Sequence, residues 1–249
     1  MKHVISSSYG NDSVAMIQWA RERGLVNVDV VFVETGWSSP GWLDRVSKME
    51  EWIKSIGYCP VHIRPKMQFE ELMRAKKGFP SQRLQWCSGL LKGLPFLTWI
   101  DEVDPDCSAV VMIGKRREES NDRADTPEFV ESSIYHGGRK LWHPLYLHTE
   151  TERNELIARA GFAVLPHRSK ECSPCINANK RDLRELGQFE IDRVKRLEAE
   201  TGQTMFRVKK KGGAQGIEQV IEWAYSRAGR YDPKQETMFS QCSSGYCGY

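Results

Sequence analysis

The sequence predicts an α/β fold, with a mainly parallel sheet flanked by helices. The first observation is that runs of β-branched residues alternate with segments of helical periodicity, as in VDVVFV at 28–33 and SAVVMI at 108–113. The second is that VDVVFV is almost continuously apolar, which is typical of a strand covered on both faces. Such alternation builds parallel βαβ units, whose binding groups lie at the carboxyl ends of the strands.

The predicted elements follow one another in order from the amino terminus. A strand at 4–8 enters a glycine turn and a helix over 13–23, which Asn11 or Asp12 caps and Gly24 ends. Further strands are predicted at 28–33, 61–64 and 108–113, a hairpin or irregular return strand at 134–147, and further helices at 41–55, within 85–103, at 149–159 and at 182–201. Thr149 and Glu152 form a predicted capping box. We expect residues 1–165 to form the α/β domain and residues 166–249 to form a Cys-rich, helical extension packed on it.

The composition is that of a globular protein of 249 residues, 40% hydrophobic and 28% charged, which excludes a disordered or collagen-like chain. No run approaches the about 20 apolar residues of a membrane helix, and the first residues lack the pattern of a signal peptide. We therefore expect a cytoplasmic protein without a membrane partner. The net charge of +3 is too small to indicate a nucleic-acid-binding protein by itself.

The turn after the first strand has the residues of a phosphate-binding site. Backbone N–H groups and small hydroxyls meet a helix N-terminus there, and phosphate oxygens are the natural ligand of such a turn. No Gly-Lys-Ser/Thr follows, so the turn is not a Walker A loop. The candidate residues are Ser6, Ser7, Ser8, Tyr9, Gly10, Asn11, Asp12 and Ser13.

Three arginines follow the predicted strand at 108–113. Arg116, Arg117 and Arg123 lie where a parallel sheet presents its binding groups, and guanidinium groups hold phosphate or sulfate through paired hydrogen bonds. The segment also carries acidic residues, so a solvated charged loop is the alternative reading. We interpret the cluster as an anion site.

Seven cysteines in a protein expected to lie in a reducing compartment indicate metal or redox chemistry rather than disulfides. Cys172 and Cys175 form a C-x-x-C motif, and with Cys87 they offer three thiolates, which suit an iron–sulfur cluster or zinc. Cys242 is a candidate fourth ligand; an open position on one iron is the alternative. We expect Cys59 and Cys107 to be buried, apolar cysteines beside strands.

Four motifs in the same order resemble the adenine-nucleotide alpha-hydrolase superfamily and, within it, the phosphoadenosine phosphosulfate (PAPS) and adenosine phosphosulfate (APS) reductase branch. The motifs are SYGNDS at 8–13, ETG at 34–36, GKRREESNDRA at 114–124, and HPL at 143–145 with Thr149 and Glu152. The resemblance implies a Rossmann-like fold and an adenine-nucleotide site. It adds to the binding residues Glu34, Thr35, Gly36, Gly114, Glu119 and Ser120.

The resemblance also implies an oxidoreductase that carries a 4Fe-4S cluster, with zinc as the alternative. In cluster-bearing members a Cys-Cys pair precedes the C-x-x-C, whereas here Ser88 follows Cys87. Family reductases attack the sulfate sulfur with a thiolate on a mobile C-terminal segment, and thioredoxin then resolves the product. Cys247 or Cys242 would have this role, although the family's E-C-G-x-H tail motif is absent.

Two other functions remain open at this point. The chain could be an ATP-dependent, adenylating sulfurtransferase that acts on a nucleic acid, since Asp12 and Ser13 are retained as in the ATP-cleaving branches. It could also be a non-enzymatic, nucleotide-binding iron–sulfur or zinc protein. The sequence leaves open whether the nucleotide is PAPS, APS or ATP, and it leaves the oligomeric state open.

Overall fold

A six-stranded sheet of order β3-β2-β1-β4-β6-β5 forms the centre of the computed structural model, which describes residues 1–206 and 216–226. Five strands run parallel, and β5 pairs antiparallel with β6. The strands are β1 (His3–Ser6), β2 (Val28–Val33), β3 (Cys59–Ile63), β4 (Val110–Met112), β5 (Phe129–Val130) and β6 (Lys140–Trp142). The predicted α/β class is therefore confirmed.

Helices cover both faces of this sheet. A π-helical turn, Gly89–Gly93, joins α4 to α5 without a break in the helical path. The helices are α1 (Asn11–Glu22), α2 (Trp42–Ser55), α3 (Phe69–Ala75), α4 (Trp86–Ser88), α5 (Leu94–Val103), α6 (Glu150–Arg159), α7 (Lys180–Arg184), α8 (Gln188–Thr201) and α9 (Ile217–Tyr225). The predicted capping box of Thr149 and Glu152 is confirmed at the start of α6. None of the helices in the described ranges is long and apolar enough to cross a membrane.

The strands alternate their side chains between two hydrophobic clusters. Ile5 and Val30 pack with α1, α2 and α6 on one face, whereas Val4 and Val31 pack with α5 on the other. A third cluster joins α3 and the π turn to α7, α8 and α9, for example through Phe69 and Val194. The segment after residue 166 therefore shares a core with loops of the first half of the chain.

The direction of winding reverses between β1 and β4. The chain adds β2 and β3 on one side of β1 and then places β4 on the other, so a crevice opens at the carboxyl ends of β1 and β4. Gly114 follows β4 and lies against the first turn of α1, where an added Cβ would be 3.1 Å from the carbonyl oxygen of Asp12. The predicted phosphate turn and arginine cluster thus meet at one place.

Three local predictions need correction. Gly10, rather than Asn11 or Asp12, is the N-cap of α1, because the side chains of Asn11 and Asp12 bond to distant segments. The predicted helix over 182–201 is two helices, and Gly187 caps the second of them. Within the predicted hairpin region the chain forms the 3-10 turn Ile134–His136 and then β6, whose antiparallel partner β5 begins at Phe129.

The prediction that Cys59 and Cys107 are buried is wrong, since both are exposed. Cys59 lies on β3, which is an edge strand and has a neighbour on one side. Cys107 lies in the turn before β4, in a left-handed backbone conformation with φ of 53°. Neither residue takes part in the sites described below.

Candidate functional site

Short-range hydrogen bonds shape the turn after β1. The Ser8 N–H group donates to Ser13 Oγ at 3.2 Å, the Tyr9 N–H group to Ser7 Oγ at 3.1 Å, and the Gly10 N–H group to Ser8 Oγ at 3.3 Å. The five residues are buried. We name residues 7–13 the phosphate loop. Its own serine hydroxyls hold its conformation.

Tyr9 gives the phosphate loop its bend. It has a φ of 57°, an uncommon conformation for a bulky residue, and its ring is buried and stacked on Phe32 with centroids 5.4 Å apart. Arg45 of α2 donates from Nε to the Tyr9 carbonyl at 2.8 Å. Packing on one side and this hydrogen bond on the other hold the strained peptide in place.

A buried ion pair joins the phosphate loop to the predicted arginine cluster. Arg116 donates from Nε to Asp12 Oδ1 at 2.6 Å, and only 4% of Arg116 is exposed. Its Nη1 donates to Glu118 at 3.2 Å. Burial by itself lowers the pKa of Arg116, but Asp12 and the neighbouring glutamates raise it, so the guanidinium stays charged at this edge of the sheet.

The other two arginines also have partners within the chain. Arg117 donates to the Thr126 carbonyl at 2.9 Å, and Arg123 pairs with Glu119, whose pKa burial raises. The Ser120 hydroxyl is buried and has no hydrogen-bond partner among the described residues. The structure thus brings the predicted anion cluster to the phosphate loop, where carboxylates pair with Arg116 and Arg123 and a backbone carbonyl accepts from Arg117.

The predicted residues Asn11 and Glu34 are used for internal bonds. The Asn11 side chain exchanges two hydrogen bonds of 2.9 Å with the backbone of Leu165. Glu34 faces β3, where it accepts from Arg64 at 2.8 Å and lies 2.8 Å from His62 Nε2. Ser6 is the last residue of β1. The Asn11 bonds attach the phosphate loop to Leu165, and the Glu34 bonds attach the end of β2 to β3.

Gly36 lets the turn after β2 approach the side chain of Gln68 more closely than a residue with a Cβ atom would allow. Its φ is 70°, and an added Cβ would lie 2.4 Å from Oε1 of Gln68, the N-cap residue of α3. The chain can therefore turn from β2 directly under α3. This turn carries Thr35 toward the cysteines described next.

Cys87, Cys172 and Cys175 line one largely apolar pocket between the helix that contains the π turn and the loop before α7. We name it the thiol pocket. Lys92 and Glu171 also line it and form a buried ion pair of 2.5 Å. Burial raises the pKa of all three thiols, to about 11 for Cys172, and the Cys172 and Cys175 thiolates further raise the pKa of Cys87.

The thiols supply the soft donor set of an iron–sulfur cluster or of zinc, so the chemistry of the pocket fits either group. Within the ranges that the structure describes, no three His, Cys, Asp or Glu residues are arranged as a metal-binding group. The three thiols therefore share a pocket without forming a coordination shell. The candidate fourth ligand Cys242 and the candidate nucleophile Cys247 lie outside the described residues.

The loops at 34–39 and 170–174 bond to one another and join the two halves of the site. Thr35 Oγ1 donates to the Glu171 carbonyl at 3.4 Å and lies 3.5 Å from Cys172 Sγ. The Ser39 N–H group donates to the Lys170 carbonyl at 3.0 Å, and the Ser173 N–H group donates to the Trp37 carbonyl at 2.8 Å. We name these segments the nucleotide-side loop and the thiol loop. These bonds connect the end of β2, which pairs with β1, to the thiol pocket.

Several residues that hold this arrangement together belong to none of the predicted motifs. Glu171 has one signal in the sequence, its position directly before Cys172. Arg45 and Arg193 carried no such signal, because they lie far along the chain from the groups they bind.

A family model for the phosphoadenosine phosphosulfate reductase domain matches residues 2–174. The chain belongs to this family. The resemblance inferred from the four motifs is thereby confirmed. The match ends inside the C-x-x-C motif, so α7, α8 and α9 lie beyond it.

Solved structures with a similar fold include a PAPS reductase from Candida auris in a phosphate complex. It is 16% identical, covers 66% of this chain and 75% of its own, and has a TM-score of 0.48. An NMN synthetase from Francisella tularensis is 12% identical, with coverage of 90% and 83% and a TM-score of 0.50. The latter likeness shows a shared fold. No curated protein matches the chain.

Proposed function

We propose that this PAPS reductase family member is an enzyme that binds an adenylyl-sulfate nucleotide, APS or PAPS, and reduces or transfers its sulfo group. The observation that carries the proposal is the position of Thr35, which belongs to the ETG motif and contacts both the Glu171 carbonyl and the Cys172 thiol. A nucleotide held by the phosphate loop would thus extend its sulfo end toward sulfur ligands.

In this proposal the phosphate loop holds the 5′-phosphate through its N–H groups and hydroxyls, in the field of the α1 N-terminus. Gly114 lets the chain after β4 pass close to the first turn of α1. Arg116, Arg117 and Arg123 provide positive charge for the anionic end. Because carboxylates already pair with Arg116 and Arg123, the bound anion would share these two guanidinium groups with Asp12 and Glu119.

We assign Cys87, Cys172 and Cys175 as ligands of a 4Fe-4S cluster, with Cys242 or an open position on one iron completing it; zinc is the alternative. When bound, the cluster supplies a redox-active, thiophilic centre beside the sulfo group. Lys92 would add positive charge at the pocket wall, and Glu171 holds its ammonium group in place at 2.5 Å.

The proposed reaction uses a cysteine thiolate as nucleophile, with Cys247 or Cys242 in this role. The thiolate sulfur attacks the sulfo sulfur, an S–S bond forms, and the S–O bond to the nucleotide breaks, releasing the nucleoside phosphate. A thioredoxin-type dithiol then attacks the modified cysteine sulfur, which releases sulfite, and its second thiol resolves the mixed disulfide. The dithiol supplies the two electrons. Such a partner suits a cytoplasmic location.

The test is anaerobic sulfite release from APS and from PAPS, with a thioredoxin-type dithiol as reductant. The proposal expects turnover of one of the two, and loss of turnover with retained nucleotide binding in Cys247→Ser or Cys242→Ser. Full activity in the double variant would exclude a tail thiolate as the nucleophile. No sulfite from either nucleotide would exclude the reductase activity.

Retention of Asp12 and Ser13 favours a second candidate, an adenylating sulfurtransferase that acts on a nucleic acid. This enzyme would convert ATP to AMP and pyrophosphate in the presence of RNA or DNA. Pyrophosphate formation without sulfite formation would favour the second candidate over the first. If a nucleotide binds but neither reaction occurs, a non-enzymatic, metal-containing nucleotide sensor is the better description.

A further inference from the structure

Two buried charged residues of α8 reach the junction between the nucleotide-side loop and the thiol loop. They are Glu190 and Arg193, which are 5% and 9% exposed and lie one helical turn apart. We name this pair the α8 clamp. It lies beyond residue 174, where the family match ends.

Arg193 binds both loops with the same guanidinium nitrogen. Nη2 donates to the carbonyl oxygens of Trp37 and Ser38, both at 3.3 Å, and to that of Ser173 at 2.5 Å. The guanidinium carbon also lies 3.8 Å from the centroid of the Trp37 ring. The Trp37 indole donates to the Pro174 carbonyl at 2.9 Å, so the ring under Arg193 is itself attached to the thiol loop.

Glu190 also bridges the two loops, through a serine hydroxyl of each. Its Oε1 accepts from the Ser39 hydroxyl at 2.5 Å and from the Ser173 hydroxyl at 3.5 Å. Ser39 belongs to the nucleotide-side loop and Ser173 to the thiol loop. One carboxylate oxygen and one guanidinium nitrogen therefore each bridge the same two loops.

Burying charged groups is an expensive way to join two loops, because apolar packing would give equal stability without desolvation. Burial lowers the pKa of Arg193, while Glu70, Glu190 and the Cys172 thiolate raise it. The charged clamp adds directional hydrogen bonds, which fix the position of one loop relative to the other. Movement of either loop would break bonds to both.

We propose that the α8 clamp is a positioning device that couples nucleotide binding at the nucleotide-side loop to the geometry of the thiol loop. This inference rests on the proposed function. Ordering of one loop by a ligand reduces the freedom of the other through the shared guanidinium and carboxylate. Arg193 and Glu190 are positioning residues; neither is expected to touch the nucleotide.

Hydrogen exchange measured by mass spectrometry, with AMP as the probe, tests the coupling in the full-length protein. In the wild type, AMP should slow exchange in the phosphate loop and, by at least about threefold, in peptides that cover residues 35–39 and 170–176. In Arg193→Lys the phosphate loop should still be protected, whereas the additional protection at 170–176 should be lost. Glu190→Gln is the milder variant if Arg193→Lys does not fold.

Arg196→Lys is the matched control, because Arg196 lies on the same helix and forms exposed ion pairs with Glu70 and Glu200. It should behave as the wild type. A merely structural role would raise exchange in both states and leave the AMP-dependent difference unchanged, which would overturn the inference. Absence of AMP protection in the wild-type phosphate loop would instead overturn the proposed function, and the inference with it.

Discussion

The phosphate loop and the thiol pocket lie at the same edge of the sheet, but contacts of very different range hold them. Bonds between residues two to five positions apart shape the phosphate loop. In the thiol pocket, Lys92 and Glu171 are 79 positions apart, and Thr35 and Cys172 are 137 apart. Local bonds shape the phosphate loop, and Arg45, Arg116 and Leu165 attach it to distant segments, whereas the thiol pocket exists only when distant segments meet.

This difference predicts that substitutions affect the two regions differently. Local bonds of the phosphate loop survive damage elsewhere, because they depend on few distant groups. The thiol pocket depends on every segment that lines it. The following changes test this contrast, from the largest expected effect to the smallest.

Cys172→Ala should abolish metal binding completely, because it removes one of three thiol ligands and leaves a C-x-x-C motif with a single cysteine. The affinity for AMP should fall by less than about threefold, since the bonds within the phosphate loop stay intact and only the coupling to the thiol loop is disturbed. Iron, sulfide and zinc counts after anaerobic purification, together with AMP titration, measure both effects. The exposed Cys107→Ala is the control. Metal at the wild-type level in Cys172→Ala would contradict the assignment.

Asp12→Ala should lower the free energy of unfolding by about 3 kcal/mol, because it leaves the buried guanidinium of Arg116 without its main partner. Glu22→Ala removes the partner of Arg159 in an exposed pair and should cost less than about 1 kcal/mol. Urea unfolding of both variants compares them directly. Equal losses in the free energy of unfolding would show that the Asp12–Arg116 pair stabilises the protein no more than the exposed Glu22–Arg159 pair does.

Gly36→Ala should destabilise the protein by about 2 to 3 kcal/mol, since it combines a left-handed φ with a contact of 2.4 Å to Gln68. Gly24→Ala isolates the first effect, because Gly24 has a φ of 66° and no atom within 4 Å of the added Cβ. Its expected cost is about 1 kcal/mol. Thermal or urea unfolding distinguishes them. If Gly36→Ala lowers the free energy of unfolding no more than Gly24→Ala does, the close approach of Gly36 to Gln68 does not affect stability.

Acidification should destabilise the protein in part through His143, whose pKa burial lowers to about 4. The unfolded state takes up a proton near the ordinary value of about 6.5, so stability is fully present above that pH and falls as the pH drops toward 4. At pH 5 the loss is about 2 kcal/mol for this residue. His143→Gln should show a smaller loss of stability than the wild type between pH 7 and pH 5. If the stability of His143→Gln depends on pH in the same way as that of the wild type, the lowered pKa of His143 is contradicted.

The sequence-based predictions succeeded where neighbouring residues determine the structure. The phosphate loop, the Thr149 capping box and the β-branched strands depend on periodicity, caps and turn residues close together in the chain. They failed for Cys59, which lies on an edge strand, and for Cys107, which lies in a turn, because the exposure of a side chain depends on which segments pack over it. The break before α8 was also missed, although Gly187 marked it.

By itself, the sequence determined the α/β class, the order of the motifs, the family and the three cysteines that share a pocket. The tertiary structure decided that Arg116 is balanced by Asp12, that Thr35 touches Cys172, and that α8 clamps two loops. Local patterns report interactions within a few residues, because those are fixed by backbone geometry. Partners more than a hundred residues away are selected only when the packed sheet and helices bring them together.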